Sequence, residues 1–479
     1  MDQPEAFHIL TVGHAPLLVR DLWDRIAARG DYRISHIAHP SFDRRSWPKE
    51  LLTRDLYFFR DDIRMAIPCA DRDFLASLEG GVVPTIHNMI MSDRVVSKLP
   101  YGEAIDYAGL LAKRLTALYE AVRPTVIMGG FDGLHGSLGF AVARHMGIPW
   151  FAPLFSALPD GEAALCADLS PASRIEFDAD RALQLRSKAE SLLEEFLSRK
   201  LEAAAYIPPR VLSAAFIFGQ IPMQIAAIVR VFRTRKLRKF LKYTDYPKSY
   251  SFRGLVGEAF RLRKNLWLLN RRRLLQKPIA RRFAFFGLHM QPESSIDVFA
   301  PFFSNQERVI EMIARSMPPT HALLIKLHKS DALNYSPAQL ARLARVPGVE
   351  LVSAYGDTYE FIRKSELVLS IQGTIGLEGA LLGKPVIMFG DSPAKVFPNV
   401  STAGKTTDLP ALIRRKLAEK APSHSEIVAA FANYLAPFYP ASSNDWTTVR
   451  PTDAQIEDYV RVLELLKTHD TVKRVRPCI

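Results

Sequence analysis

The run SIQGTIGLEGALLGKPVIMFG at 370–390 has the residue types and spacing of an anion-binding turn. An apolar strand is predicted to end before Gly373, which lets the backbone turn tightly, and Thr374 is predicted to cap the next helix with its hydroxyl group. The first N–H groups of a helix lack partners within it, and the helix dipole favours an anion there. Glu378, one turn further on, could accept hydrogen bonds from ribose. The alternative is that Gly373 and Gly376 only form a tight turn and that Glu378 is a solvated helix residue.

Two further loops carry polar side chains directly after apolar runs. In IKLHKSD, His328 comes just past a predicted strand and Lys326 lies two residues earlier on the same face, so the two side chains could bind a phosphate group together. The other interpretation of His328 is a structural hydrogen-bond partner. In GLHMQPES, Gln291 and Pro292 predict a rigid polar turn, again at the end of a strand.

The best-placed carboxylate of the N-terminal part is Asp132, in the run GGFDGLHGSLG at 129–139. It follows a buried apolar run, and the glycines around it keep the backbone open for the close approach of a ligand. A carboxylate in this position could act as a general base or as a nucleophile. Asp132 could instead simply cap the helix that follows it.

An alternation of apolar runs and amphipathic stretches positions these loops, and in open parallel sheets ligands bind beyond the carboxyl ends of the strands. This alternation predicts an α/β protein with two Rossmann-like, doubly wound domains. The predicted organisation is a first Rossmann-like domain at 1–175, a helical, basic insert at 176–282, a second Rossmann-like domain at 283–405 and C-terminal helices at 406–479. The predicted helices are 16–29, 104–122, 139–145, 180–205, 306–316, 337–345, 358–365, 375–382, 408–420, 425–435 and 453–468.

The positive charge of the chain is concentrated in one segment. The 479 residues carry 63 Lys and Arg against 50 Asp and Glu, a net charge of +13. Residues 230–282 hold 18 Lys and Arg against two acids, a net charge of +16, so the rest of the chain is near neutral. An uncharged run at 211–229 precedes this segment, and its Gly, Gln and Pro residues favour a buried or membrane-surface helix over a spanning one. The segment therefore predicts binding to an anionic membrane surface.

Composition and motifs argue against several other classes of protein. Three scattered cysteines do not make a disulfide framework or a Cys-based zinc site, and they fit a reducing compartment. His36 and His39 with Asp43 lack a convincing third ligand, so no metal site is expected. The acidic start MDQPEAFHILTVG does not look like a secretory signal. The basic run lacks interleaved aromatic residues and a recognition motif, so a nucleic-acid partner is not expected.

Three stretches in order give the chain a family resemblance: FFGLHMQPESS (285–295), LLIKLHKSD (323–331) and GDTYEFIRKSELVLSIQGTIGLEGALLGKPVIMFGDS (356–392). They resemble the capsule polysaccharide biosynthesis family of bacterial glycosyltransferases. The resemblance implies the GT-B fold, in which two Rossmann-like domains face a cleft. The nucleotide-sugar donor would bind to the second domain and the acceptor to the first. Members with this motif set include transferases of Kdo from CMP-Kdo.

The resemblance also implies roles for single residues. By analogy with the family and with the distantly similar bacterial sialyltransferases, His328 and Thr374 would contact the donor phosphate. Gln291 and Glu378 would lie near the nucleotide or the sugar. Asp132, which precedes a glycine, matches the catalytic acidic residue of the sialyltransferase pattern. Together with the residues chosen from the loops, the predicted donor-binding set is Gln291, Lys326, Gly373, Thr374, Gly376 and Glu378, and the catalytic pair is Asp132 and His328.

The leading hypothesis is a glycosyltransferase that uses a CMP- or UDP-linked sugar, with no separate cofactor, and a surface polysaccharide or glycolipid acceptor. It would work in the cytoplasm, at the inner face of the membrane. Three alternatives remain: a polyol-phosphate transferase of the teichoic-acid type, a sugar-nucleotide 2-epimerase, and a non-catalytic factor for polysaccharide export. The last remains open because Lys329 stands where the family usually has proline.

Overall fold

The structure of this protein is a computed structural model that describes most of the chain. The described residues are 7–14, 22–40, 42–45, 47, 49, 52–60, 66–201, 277–291, 293–328, 335–441 and 452–473. The uncharged run at 211–229 and the basic segment up to 276 lie outside them, as do Pro292 and Lys329. None of the helices in the described ranges is both long enough and apolar enough to cross a membrane.

The described residues contain thirteen strands. In chain order they are β1 (Phe7–His14), β2 (Tyr32–Ala38), β3 (Leu56–Tyr57), β4 (Val126–Met128), β5 (Trp150–Phe155), β6 (Glu162–Cys166), β7 (Phe283–Gly287), β8 (Ala322–Lys326), β9 (Val349–Val352), β10 (Leu367–Ser370), β11 (Val386–Met388), β12 (Val400–Thr402) and β13 (Tyr439–Pro440).

The described α-helices lie between these strands or after the last of them. In chain order they are α1 (Asp24–Ala27), α2 (Arg72–Ser77), α3 (Ile86–Ser92), α4 (Tyr101–Val122), α5 (Gly133–His145), α6 (Arg181–Gln184), α7 (Arg186–Leu197), α8 (Ser294–Asp297), α9 (Gln306–Ser316), α10 (Pro337–Leu343), α11 (Thr358–Lys364), α12 (Thr374–Leu381), α13 (Leu409–Leu417), α14 (His424–Leu435), α15 (Asp453–Thr468) and α16 (Asp470–Lys473).

Several helices differ from their predicted bounds, and a tertiary contact accounts for one of these differences. The predicted helices at 306–316 and 453–468 are confirmed at both ends as α9 and α15. The helix predicted at 139–145 begins earlier, at Gly133, because the carboxylate of Asp93 accepts a hydrogen bond from the Leu134 N–H at 2.7 Å and so caps it from another element. The described part of the helix predicted at 180–205 breaks at Leu185 into α6 and α7.

The first compact unit is built on a seven-stranded sheet in the order β3-β2-β1-β4-β5-β6-β13. Strands β1 to β5 pair in parallel, and β6 and β13 extend the sheet as antiparallel strands. Apolar residues of β1, β4 and β5 form a core with Ile456, Leu463 and Leu466 of α15. This packing of α15 joins the C-terminal part of the chain, from Ala436 onward, to the first unit.

The second compact unit, built from residues between Asp180 and Leu435, contains a six-stranded sheet in the order β9-β8-β7-β10-β11-β12. All of its described pairings are parallel. Every residue of β7, β8 and β10 is buried, as expected for central strands covered on both faces. Within each sheet the parallel strands run in the doubly wound order 3-2-1-4-5, so the predicted fold class of two Rossmann-like α/β domains is confirmed.

The two compact units share the helices of the C-terminal part of the chain. Helices α13 and α14 belong to the second unit, whereas α15 and α16 belong to the first, so the segment predicted at 406–479 is shared between the two. Hydrophobic packing decides this, since α13 contributes Leu409 and Ile413 to the core of the second unit. The predicted boundaries at 175, 282 and 405 stay predictions.

Two buried histidines make the first unit sensitive to acid. A hydrogen bond of 2.7 Å joins Nδ1 of His36 to Oγ1 of Thr11, and one of 2.9 Å joins Nε2 of His8 to Oγ of Ser35. Burial lowers the pKa of both imidazoles to about 4. Below pH 6.5 the unfolded chain takes up protons that the folded chain does not, so protonation favours unfolding until the pH reaches about 4.

We therefore expect the free energy of unfolding to fall as the pH is lowered from 6.5 to 5, by up to about 2 kcal/mol for each histidine. Urea denaturation at closely spaced pH values measures it, and this range lies above the pH at which most carboxylates titrate. The variant His36→Gln should lose about half of the dependence. A urea midpoint that stays constant across this range would contradict the assignment.

Candidate functional site

The strand order of the second unit places its switch point between β7 and β10. In a doubly wound sheet the crossovers leave such a pair of strands in opposite directions, and the crevice at their carboxyl ends is the usual ligand site. The loops at these ends are 288–293 after β7 and 371–373 after β10. These two loops contain parts of the predicted donor-binding set, and the neighbouring strand β8 leads to His328.

The turn after β10 is built by Gly373, whose φ of +82° and ψ of −167° lie in a region that only glycine adopts easily. Gly373 is the N-cap residue of α12, and no side chain caps this helix end. The prediction that Thr374 caps the helix is therefore wrong. Thr374 is the first helical residue, because the helix begins one residue earlier than predicted. The first N–H groups of α12 are thus not taken up by a capping side chain.

Two other glycines bring α12 close to the sheet. A Cβ atom on Gly376 would overlap the sulfur of Met388 in β11, and one on Gly287 at the end of β7 would overlap the side chain of Ile375. Gly376 is buried, so the structure places it in the packing between helix and sheet. Glu378 is half-buried one turn further along α12.

The loop after β7 contacts the turn before α12 through His289. The Nε2 atom of this histidine lies within hydrogen-bonding reach of both backbone groups of Gln372, at 3.2 Å from the N–H and in a short contact with the carbonyl oxygen. The ring is buried, with 8% of the residue exposed. Burial lowers the pKa of the His289 imidazole, so the ring is neutral near pH 7. Its Nδ1 atom has no hydrogen-bond partner among the described residues.

Glutamine side chains hold the same loop in place. The Gln306 side chain accepts from the His289 N–H at 2.8 Å, and its Nε2 lies 3.0 Å from the His289 carbonyl oxygen and 2.9 Å from Oε1 of Gln291. The Gln291 Nε2 donates in turn to the Asp297 carboxylate at 3.0 Å and to the Ser304 carbonyl at 2.9 Å. The amide of Gln291, which is predicted to bind the donor, therefore bonds to residues that follow the loop, and its contact with a ligand remains a prediction.

Lys326 and His328, which were predicted to bind a phosphate group together, differ in burial. Lys326, the last residue of β8, is buried with 6% of its surface exposed, and its amine donates to the Ala354 carbonyl at 2.9 Å. His328 lies two residues beyond the strand end and is half-buried. The structure thus brings His328 to the carboxyl edge of the sheet, whereas the Lys326 amine is held beside the end of β9.

In the first unit, the corresponding switch point lies between β1 and β4, and Asp132 follows β4. Asp132 occupies the N-cap position of α5, but its side chain makes no capping hydrogen bond. The carboxylate of Asp93 takes that role, and it also accepts from the N–H groups of Val95 at 2.8 Å and Val96 at 2.7 Å. The Asp132 side chain stays 64% exposed, with a carboxylate oxygen 3.6 Å from the Arg94 guanidinium.

Sequence reasoning missed three residues of these sites: His289, Gln372 and Asp93. The first two lie inside loops that the sequence singled out, and a histidine directly after a fully apolar strand is the signal that could have found His289. No sequence signal assigns Asp93 to the cap of α5, because the contact spans 41 positions of the chain. Among the described residues, no group of three or more His, Cys, Asp or Glu could hold a metal ion.

The family model described as "Capsule polysaccharide biosynthesis protein" matches residues 185–438, more than half of the chain. The chain belongs to the capsule polysaccharide biosynthesis protein family. The residues that the family model matches cover nearly the whole second unit, including β7 to β12 and the Gly373 turn. Asp132 lies outside the matched residues.

Solved structures with low sequence identity resemble this capsule polysaccharide biosynthesis protein. The beta Kdo 2,4 transferase of Thermosulfurimonas dismutans KpsC is 14% identical with a TM-score of 0.39, over 71% of this chain and 87% of that chain. The beta Kdo 2,7 transferase of the same KpsC is 10% identical with a TM-score of 0.33, over 74% and 90%. A UDP-GlcNAc 2-epimerase of Methanocaldococcus jannaschii is 12% identical with a TM-score of 0.30, over 95% and 99%. No curated protein matches the sequence.

Proposed function

We propose that this protein is a glycosyltransferase that transfers a sugar, with Kdo as the first candidate, from a CMP- or UDP-linked donor to a surface polysaccharide or glycolipid in capsule biosynthesis. The observation that carries the proposal is the uncapped N-terminus of α12, which follows the Gly373 turn at the switch point of the unit that the family model matches. The proposal assigns donor contacts to Gly373, Thr374, Gly376, Glu378, Gln291, Lys326 and His328.

Charge is the physical reason for placing the donor phosphate at this turn. Breaking the bond between the sugar and the phosphate leaves negative charge on the nucleotide, and preorganised N–H groups stabilise developing charge more effectively than water does. The positive end of the α12 dipole adds to this effect. His328, at the end of the neighbouring strand β8, is assigned as a hydrogen-bond donor to the same phosphate.

The proposal gives Asp132 the task of activating the acceptor. Its exposed carboxylate takes the proton of the acceptor hydroxyl group as that oxygen attacks the anomeric carbon, while the bond from this carbon to the phosphate oxygen breaks and its electron pair leaves with the nucleotide. The Arg94 guanidinium lies 3.6 Å from this carboxylate. In a reaction that retains configuration, Asp132 is instead the nucleophile.

The test is incubation of the protein with CMP-Kdo, UDP-sugars and GDP-sugars in the presence of a capsule glycolipid extract, with release of free nucleotide and labelling of the extract as readouts. We expect one CMP- or UDP-linked sugar to give both release of free nucleotide and labelling of the extract. Labelling from CDP-glycerol instead would indicate the polyol-phosphate transferase. Interconversion of a UDP-sugar without an acceptor would indicate the epimerase. Inactivity with every donor, with no nucleotide bound, would support the non-catalytic export factor.

The proposed place of action is the inner face of the cytoplasmic membrane, and it rests on the charge of 230–282. At the described end of this segment, Arg281 pairs with Glu350 and Arg282 pairs with Glu366 at 2.7 Å, so these two arginines are already neutralised. The remaining basic residues are each worth about 1 kcal/mol near an anionic leaflet. We expect the protein to sediment with vesicles that contain phosphatidylglycerol and not with phosphatidylcholine vesicles at about 0.1 M salt. Equal binding to both, or binding to neither, contradicts the proposal.

A further inference from the structure

The His289 side chain stands out in the second unit because it is a buried polar group that connects two loops of the switch point. Its Nε2 reaches the backbone of Gln372, the residue directly before Gly373. Gly373 packs against the same ring, since a Cβ atom at this position would lie 3.5 Å from Nε2. The ring also lies near Ser370 at the end of β10, whose Oγ is 3.5 Å from Nε2. Three residues that lead into α12 therefore face one imidazole.

In either tautomer the ring can hydrogen-bond to one of the two backbone groups of Gln372. If Nε2 lacks its hydrogen, it accepts from the Gln372 N–H. If Nε2 carries the hydrogen, it donates to the Gln372 carbonyl oxygen, which the Ser370 hydroxyl also reaches. The N–H belongs to the peptide between residues 371 and 372, and the carbonyl belongs to the peptide that leads into Gly373, so either hydrogen bond restricts the backbone directly before Gly373. Because the ring is buried, loss of its hydrogen bond to the Gln372 N–H would leave that group without a partner among the described residues, whereas the Gln372 carbonyl keeps the Ser370 hydroxyl.

The backbone of His289 is held in turn by Gln306. The Gln306 amide bonds to both backbone groups of His289, and Gln306 lies at the start of α9, whose apolar face packs into the core. The Gln372 amide donates further, to the Asp391 carbonyl at 2.5 Å after β11. The turn before α12 is thus connected through His289 to the loop after β7 and to a core helix, which is how a rigid binding site is preorganised.

We propose that His289 is a positioning residue for the nucleotide site. It fixes the Gln372–Gly373 turn so that the first N–H groups of α12 are held in the orientation that binds the donor phosphate. This inference rests on the proposed function for the identity of the ligand, and it assigns to His289 no contact with the ligand. The role belongs to the polar atom at the Nε2 position rather than to the volume of the ring.

The experiment compares His289→Gln, His289→Asn and His289→Leu. A glutamine amide reaches the position of Nε2, an asparagine amide reaches only that of Nδ1, and leucine fills space without a hydrogen bond. The matched control is His321→Leu, which removes an equally buried histidine (8% exposed) that precedes β8, at the opposite edge of the same sheet. Calorimetry measures the Kd for CMP and UDP, and amide hydrogen exchange without nucleotide measures the order of the peptide 370–380.

We expect the Kd to rise about tenfold in His289→Asn and His289→Leu and to stay within about threefold of wild type in His289→Gln and His321→Leu. Amide exchange at 372–376 should quicken in the same two variants only. Equal behaviour of the Gln and Asn variants in both measurements would overturn the inference, even if the Leu variant does not fold. If wild-type protein binds neither nucleotide, the proposed function fails, whereas the exchange pattern still decides whether His289 holds the turn.

Discussion

Replacing Asp132 with asparagine is expected to lower the rate of nucleotide release about a thousandfold without weakening nucleotide binding. The variant keeps the size of the side chain but removes the base that takes the proton of the acceptor. Because the Asp132 carboxylate caps no helix and is 64% exposed, the fold does not depend on it. Single-turnover assays with saturating donor measure the rate, calorimetry with CMP or UDP measures the binding, and a thermal melt of each variant measures the stability.

Asp93→Asn is the matched control for this prediction, since Asp93 lies beside Arg94 and caps the same helix α5. Its buried carboxylate accepts three backbone N–H groups, and an asparagine amide would turn a donor toward one of them. We expect a loss of about 1–3 kcal/mol in unfolding free energy. The two variants should therefore behave in opposite ways: Asp132→Asn loses activity and keeps its stability, whereas Asp93→Asn loses stability. Wild-type turnover in Asp132→Asn would remove Asp132 from the mechanism.

Replacing Gly373 with alanine is expected to weaken CMP or UDP binding by at least about tenfold. The φ of +82° and ψ of −167° of Gly373 are strained for any residue with a Cβ atom, at a cost of about 1–3 kcal/mol. The new Cβ itself meets no clash, since its nearest neighbour is Nε2 of His289 at 3.5 Å. The strain therefore acts on the backbone of the turn. If the turn relaxes to another conformation, the N–H groups of α12 move and binding weakens. If the turn keeps the wild-type conformation, the strain lowers the stability of the protein.

Gly383→Ala provides the control, because Gly383 also has a positive φ, of +66°, and lies beyond the other end of α12. Both variants should melt at a lower temperature than the wild type, but only Gly373→Ala should lose affinity, as calorimetry would show. If both bind nucleotide as the wild type does, the turn is a structural feature and the donor binds elsewhere.

The sequence was sufficient for the fold class and for the location of the site loops. Strands such as β7 are short, wholly apolar and followed by helices, and this pattern is typical of parallel sheets covered on both faces. It also placed the Gly373 loop and the Asp132 loop directly after strands. The order of the strands, which makes both loops flank switch points, depends on pairing between distant segments and has no local signal.

Hydrogen-bond partners were the part that the sequence could not supply. Thr374 was predicted as the N-cap because threonine is a good capping residue. In the structure the N-cap is Gly373, whose φ is positive, and Thr374 is the first residue of the helix. The partners of the Gln291 amide, which are Asp297, Ser304 and Gln306, likewise have no local signal, and its contact with a ligand remains a prediction. In both cases a tertiary arrangement selected among chemically equivalent uses of the same side chain.

The proposed function depends above all on nucleotide binding at the carboxyl edge of the second unit, and amide hydrogen exchange with and without CMP or UDP measures that binding in place. We expect one of these nucleotides to slow exchange in the peptides that cover 287–291 and 371–378. Exchange elsewhere in the second sheet should stay unchanged. Slower exchange confined to the first unit, at 11–14 and 129–135, or no change with either nucleotide, would show that the donor does not bind at this edge.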